Sequence, residues 1–319
     1  MEWAAKRAAG EITVVLGGER HLRLGFSAEC MACVMDRQLR ALPQAWSDAK
    51  RSEYLRRVMR IIVESDPCDY GPMVTRRIDR LAAEWAVPKR DFKPIKRHWN
   101  EKMLSLAPDL RADILAAPDP LARAMQYART ANYIDFGAQL NVNEAELLSL
   151  LREAPGEALD PVEYARMLDE LGTARRLAYV TDNCGEVVAD RLLIEQLLAR
   201  FPSLQITAVV RGADVGNDAT LEDAEAAGLP GLCEVMSNGT PLLGTFLDEM
   251  GQEARERLAG ADVVISKGQA NFETLSGCGL NVYYLFLCKC GRFERHFRLP
   301  RLRGVLANER RINYEEEAQ

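Results

Sequence analysis

The stretch "YVTDNCGEVVADRLLIEQL", Tyr179 to Leu197, changes character at Asp182. Before it runs the end of an apolar strand that begins at Leu177. After it come Gly185 and a run whose apolar residues recur at helical spacing. A strand that passes into a helix through one short turn is the repeating unit of a parallel α/β sheet. The turn is Asp182-Asn183, two oxygen-bearing side chains placed where a helix begins. Such a pair serves either as a cap for the helix or as ligands for a metal ion.

The same grammar recurs from about residue 170 onward. After "LAYVT" (Leu177 to Thr181) the candidate strands are "QITAVV" (Gln205 to Val210), "LCEVM" (Leu232 to Met236), "DVVIS" (Asp262 to Ser266) and "NVYYLFL" (Asn281 to Leu287), with helical stretches between most of them. Short apolar runs alternating with helices imply a largely parallel sheet covered on both faces, a Rossmann-like three-layer α/β domain over residues 166–319. Upstream the chain reads as helices: Ala28 to Leu42, Ser52 to Ser65 and Val74 to Trp85 carry the 3.6-residue period. Asp119-Pro120 supplies a cap and a first-turn proline for a helix through "LARAMQYARTANYIDF", and Asn143 with Glu146 brackets a capping box. Residues 1–165 are therefore expected to form a helical domain, joined through a linker at Ala154 to Pro161.

Composition narrows the function classes. Of 319 residues 48% are hydrophobic and 28% charged, which suits a folded globular chain. A net charge of −6 gives no general attraction to nucleic acid or to an anionic membrane surface. No run approaches the roughly 20 apolar residues that span a bilayer. The N-terminal stretch lacks the apolar segment of an export signal, so reduced thiols in the cytoplasm are the expectation for the eight cysteines.

Ligands of open α/β sheets bind beyond the carboxyl ends of the strands. The residues there form a set: Asp182-Asn183-Cys184-Gly185-Glu186, then Asn217-Asp218, then Ser237-Asn238-Gly239-Thr240, then Lys267-Gly268-Gln269-Ala270-Asn271, then Cys288-Lys289-Cys290. Asp182, Asn183 and Asp218 offer oxygen, which suits a hard divalent cation such as Mg²⁺ or Mn²⁺. The Ser237–Thr240 turn is expected to present hydroxyls and backbone N–H groups as a phosphate cradle at a helix start. Lys267 adds a point charge for a phosphoryl oxygen. Taken singly, each of these residues also reads as a cap, a turn residue or a solvated lysine; together they are equipment for phosphoryl transfer to water.

The motifs "DNCGEVVADRLLIEQL", "GNDATLEDA", "SNGTPLLGT", "KGQANFETL" and "KC" (Lys289-Cys290), in that order, with "ANYIDFG" (Ala131 to Gly137) upstream, resemble the DUF89 family of metal-dependent damage-control phosphatases, also called ARMT1-like. The resemblance runs from about residue 28 to 306 and implies a helical N-terminal domain before an α/β domain. It also implies a phosphomonoester hydrolase acting on small phosphorylated metabolites. By motif, the metal ligands fall on Asp182, Asn183 and Asp218, holding Mg²⁺, Mn²⁺, Co²⁺ or Ni²⁺. The phosphate-contacting lysine falls on Lys267. Asn132 and Asp135 lie across the cleft, Asp135 as a proton carrier or a supporting group. The nucleophile is water or Asp182 itself. Cys184 and Ala270 depart from the common pattern at positions that supply no expected ligand.

Cys30 and Cys33 match a branch of that family with an N-terminal Cys-x-x-Cys. Such a pair is half a zinc site, with Cys68 and His98 as unpaired candidates, or two packed small residues, or a redox couple. Cys233, Cys278 and Cys288 read as core, and His21, His98 and His296 lie outside the motifs. Two other functions stand beside the phosphatase. One is a noncatalytic metal-binding protein centred on Cys30 and Cys33. The other is a nucleotide- or methyl-donor-dependent transferase, including the carboxyl methyltransferase activity associated with relatives of the family. The transferase expects a Gly-rich loop after the first strand and an acid ending the second. Here those places hold Asp182-Asn183-Cys184 and Arg211.

Overall fold

A computed structural model describes residues 25–66, 69–138 and 142–312. Trp3, His21, Cys68 and the acidic run at Glu315 lie outside the described residues. The sheet has six strands: β1 (Arg176–Val180), β2 (Gln205–Val210), β3 (Glu234–Ser237), β4 (Val263–Lys267), β5 (Val282–Leu287) and β6 (Gly304–Asn308). Their spatial order is β3-β2-β1-β4-β5-β6, with β6 antiparallel to β5 and every other pairing parallel. The chain steps from β1 outward through β2 to β3, then returns to the far side of β1 as β4. The β1/β4 seam is thus the switch point at which α/β sheets open a crevice.

The helices are α1 (Ala28–Ala41), α2 (Asp48–Val63), α3 (Gly71–Glu84), α4 (Lys93–Ala116), α5 (Pro120–Ala131), α6 (Glu144–Glu153), α7 (Pro161–Thr173), α8 (Glu186–Arg200), α9 (Leu221–Ala227), α10 (Gln252–Ala259), α11 (Gln269–Leu275) and α12 (Gly291–Phe297). Capping fixes several starts: the Asp119 carboxylate accepts from Ala122 N, Asn143 Oδ1 from Glu146 N, and Asp160 from Val162 N and Glu163 N. The helix that opened the sequence reading, α8, is apolar on most of its circumference. It packs against α4 and α5 as well as on the sheet, where its Asp190 accepts from Tyr179 Oη, so it is buried over most of its surface. One sheet face packs Leu177, Tyr179, Ile265 and Leu285 against this layer. The other packs Val180, Val264, Tyr284 and Phe286 against α10, α11 and α12. Three layers result, as the alternating pattern implies.

The expected boundary at 165/166 falls inside α7, and α4 and α5 share a hydrophobic core with the sheet. The packing divides the chain elsewhere: α1 to α3 have a core of their own, built on Tyr54, Val58, Val74 and Ile78, and everything after them is one α/β body. Four strands shift slightly from expectation, β1 starting one residue earlier, β3 two later, and β4 and β5 one later each. Strand β6 and the 24-residue α4, which contains Pro108, add elements that the periodicity does not announce. In β6 the pairing comes from the free edge of β5, a partner that no local pattern reveals.

Candidate active site

The β1 ladder does not stop at Thr181. Ala219 N donates to Asp182 O at 2.7 Å, Cys184 N donates to Asn217 O at 2.8 Å, and Asn183 and Asp218 face each other in an antiparallel bridge. The turns after β1 and β2 are thereby zipped together, which brings two carboxylates and an amide to one place. Asp182, Asn183 and Asp218 are all buried. The Asp182 carboxylate rests on the turn after β4: Gly268 sits at φ +82°, and a Cβ there would overlap the carboxylate. This is the physical reason for glycine at the start of α11.

A polar network surrounds the pair. Asp182 Oδ2 accepts from Asn183 Nδ2 at 2.6 Å and from Asn132 Nδ2 at 3.0 Å. Asn183 Oδ1 accepts from Asn217 Nδ2 at 3.0 Å, and Asn217 Oδ1 accepts from Phe136 N. Asp218 Oδ2 accepts from Arg211 Nε at 2.6 Å. Behind them Glu186, fully buried, accepts from Asn132, Asn183 and Lys267. On the other flank Lys289 Nζ donates to Asp135 Oδ2 at 2.7 Å, while Asp135 Oδ1 accepts from Gly137 N and Ala138 N.

Burial and the neighbouring Asp218 and Glu186 charges push the Asp182 carboxyl well above its usual range. Burial raises Asp218 as well, against the pull of Arg211. Asp135 goes the other way: burial opposes ionisation, but Lys289 and the two backbone donors hold its carboxyl below the usual value. The cluster sets five acids (Asp135, Asp182, Glu186, Asp190, Asp218) against three cations (Arg211, Lys267, Lys289). With every group ionised it is two positive charges short, which is the state that the raised Asp182 and Asp218 carboxyls resist. A hard divalent cation beside Asp182 and Asp218 answers both the oxygen donors and the missing charge, so these residues fit the ion that the sequence suggests. Among the described residues no group of three or more His, Cys, Asp or Glu side chains is arranged to hold a metal; this donor set is two acids and an amide.

Three expectations land elsewhere. Lys267 has no exposed surface, and its ammonium is spent on Glu186 at 2.5 Å, Asp190 at 2.8 Å and Ala128 O at 2.9 Å, on the α8 side of the sheet. It offers nothing to a substrate. Asn132 is equally enclosed, with Nδ2 on Asp182 and Glu186 and Oδ1 taken by Leu287 N, so it holds protein groups rather than a ligand. The Ser237–Thr240 turn starts no helix; the next one, α10, begins at Gln252. Its Gly239 N and Thr240 N point inward to Ser237 Oγ and Asn238 Oδ1. It adjoins the turn after β2, where Gly212 N donates to Thr240 O.

Arg211 and Lys289 received no role in the sequence reading, and the structure puts both in the network. The signal was present: a charged residue within two places of the end of a buried strand must have a partner if it is buried too. Cys30 accepts from Ser27 Oγ at 3.2 Å and from Arg292 Nη1 at 3.6 Å, where α1 docks on α12. Cys33 is exposed, both thiols are free, and the pair gathers no further metal ligands among the described residues. A cavity of about 700 Å³ between α7, α12 and β6 is lined by Glu157, Glu163, Arg303 and Arg311 and holds none of the clustered residues. Among the described residues no helix is long and apolar enough to cross a membrane.

The chain is similar in sequence and in fold to known proteins. A family model described as the damage-control phosphatase ARMT1-like domain matches residues 26–299. A protein of Archaeoglobus fulgidus named damage-control phosphatase is 32% identical over 217 residues, which are 67% of this chain and 74% of that one. A damage-control phosphatase of Pyrococcus horikoshii is 32% identical over 181 residues, covering 56% of this chain and 61% of its own. An uncharacterized protein of Methanocaldococcus jannaschii is 26% identical over 278 residues, with 82% and 88% covered. The crystal structure of a DUF89 family protein from Pyrococcus horikoshii shares the fold, with a TM-score of 0.67 at 23% identity over 90% of this chain and 99% of that one. With two turns zipped at the switch point, and the family model spanning both them and the helical cap, this chain belongs to the damage-control phosphatase ARMT1-like family.

Proposed function

We propose that this protein is a metal-dependent phosphatase that hydrolyses small phosphorylated metabolites, working at the seam of β1 and β4. The observation that carries the reading is the pair Asp182 and Asp218, buried in one cluster whose acids outnumber its cations by two. Asp182 and Asp218 would hold a divalent ion such as Mg²⁺ or Mn²⁺, with Asn183 completing the set through its Oδ1. Bound there, the ion supplies Lewis-acid polarisation of a phosphoryl oxygen.

The chain's own residues take the remaining tasks. Lys289 is as buried as Lys267, but its ammonium is held by the one carboxylate of Asp135, where that of Lys267 is shared among Glu186, Asp190 and Ala128 O. Lys289 therefore replaces Lys267 as the cation that orients a phosphoryl oxygen. Asp135 stays ionised and keeps Lys289 Nζ in place, a holding role rather than a proton-carrying one. Asn132 and Lys267 act from behind, fixing Asp182 directly and through Glu186. The names of the Archaeoglobus and Pyrococcus relatives support the phosphatase class.

The test is a panel of phosphorylated sugars and other small phosphate esters. It is run on protein stripped of metal and reloaded with Mg²⁺, Mn²⁺, Co²⁺ or Ni²⁺ one at a time. Phosphate release that requires an added ion, and that Asp182→Asn abolishes along with ion binding, is the expected result. Release that is indifferent to stripping and to Asp182→Asn would defeat the proposal.

A further inference from the structure

Arg211 follows β2 directly and is only 2% exposed. Three of its donors have named partners. Nε donates to Asp218 Oδ2 at 2.6 Å, Nη1 to Thr245 Oγ1 at 3.1 Å and Nη2 to Asn271 Oδ1 at 2.8 Å. Asp218 belongs to the turn after β2, while Asn271 and Thr245 are both tied to α11. Arg211 N donates to Ala219 O, so the backbone beside Asp218 is fixed to that of Arg211. Asn271, on α11, donates to Thr181 O at the end of β1 and to Lys267 O at the end of β4. Thr245 N donates to Thr274 Oγ1. The guanidinium is a fork whose handle and tines are all anchored.

Its charge works against a cation site. Nη2 lies 4.0 Å from Asp182 Oδ1, so the guanidinium sits beside both carboxylates that would bind an ion. A fixed positive charge at that range lowers cation affinity by simple repulsion. What an arginine offers in return is geometry: a rigid planar donor that holds a carboxylate in one orientation. Among the described residues Arg211 is the hydrogen-bond donor to the Asp218 side chain, and it engages Oδ2.

We propose that Arg211 is a positioning residue for the cation site. It pins Asp218 through Oδ2 and leaves Oδ1 as the oxygen offered to the ion, and Thr245 and Asn271 keep the fork from turning. The inference rests on the metal-dependent reading above. Arg211→Lys tests it, because lysine keeps the charge and loses the fork. Mn²⁺ binding to stripped protein, followed by calorimetry or by the loss of the free-ion paramagnetic resonance signal, gives the dissociation constant without recourse to activity.

Arg211→Lys should weaken Mn²⁺ binding by about tenfold or more, the scale of a lost charge-assisted hydrogen bond, with an unchanged circular dichroism spectrum. Thr245→Val, which removes one tine contact, should weaken it by roughly two- to fivefold. The Thr245 variant decides the matter if the lysine variant does not fold. Wild-type affinity in a folded Arg211→Lys protein would overturn the inference. So would tighter binding in Arg211→Met, since Arg211 would then act only as a repelling charge. If wild-type protein binds no Mn²⁺, or Asp218→Asn binds it equally well, the metal site itself fails and the inference falls with it. Loss in Asp218→Asn alone overturns the role of Arg211 and leaves the site standing.

Discussion

Lys267→Met separates a lysine that faces substrate from one that holds the framework. In this structure the change deletes the ammonium shared by Glu186 and Asp190, both without exposed side-chain surface. Removing one partner of a buried ion pair costs about 3–5 kcal/mol, because the other charge stays behind unpaired. Burial already pushes the Asp190 carboxyl up to about 6, against the pull of Lys267. With the ammonium gone, Asp190 takes up a proton at neutral pH, which puts the cost near the lower end. Unfolding entropy of about 2.1 cal/mol/K per residue, over the whole chain, turns that cost into a melting-point fall of about 4–7 °C. The assay is a thermal melt of metal-free wild type, Lys267→Met and the double variant Lys267→Met/Glu186→Gln, which should regain part of the loss. A substrate-facing lysine predicts the opposite: an unchanged melt and a turnover reduced by roughly 10²-fold or more. That outcome would refute the assignment of Lys267 to the framework.

Lys289→Met should lower turnover by roughly 10²-fold at saturating metal with Mn²⁺ still bound, on top of a lowered melt from the unpaired Asp135; unaltered turnover would remove Lys289 from the site. Gly268→Ala should impair Mn²⁺ binding, measured by calorimetry, because a Cβ there overlaps the Asp182 carboxylate at a φ of +82°. A variant that binds as tightly as wild type would show that Asp182 need not rest on that turn. The third prediction concerns pH. The carboxyl of Asp190 is raised in the folded state to about 6 from an ordinary value of 3.8, so the fold binds its proton more tightly than the unfolded chain does. Its contribution is most favourable below the unfolded value and is lost as pH rises toward 6. The difference in unfolding free energy between wild type and Asp190→Asn, measured by urea titration, should shift against the wild type between about pH 4 and 6. A flat difference would contradict it.

The α/β class was legible because buried parallel strands are near-continuous apolar runs, and the first, second, fourth and fifth fell within a residue or two of their places. Asp182, Asn183 and Asp218 were legible as a set because strand ends in such a sheet share one edge. Which lysine is drawn into the layer beneath α8 was not. Lys267 and Lys289 both read as a lysine at the end of a strand. Lys267 is still a strand residue, paired with Leu285, and its side chain enters the layer beneath α8, where two acids wait. Lys289 lies two residues past the end of β5 and reaches Asp135, on the chain leaving α5. Both side chains end up buried, and which acids each ammonium meets depends on the direction the assembled fold gives it. The turn after β3 failed for a related reason: its composition suits a phosphate, but its N–H groups bond to its own Ser237 and Asn238. The division of the chain was hidden as well, since α4 and α5 carry ordinary helical patterns that do not say which core they join. Local sequence therefore determined the elements and the kinds of atoms at their ends. Which of those atoms meet was decided by tertiary packing, because burial forces each charge to find a partner and only the assembled fold supplies one.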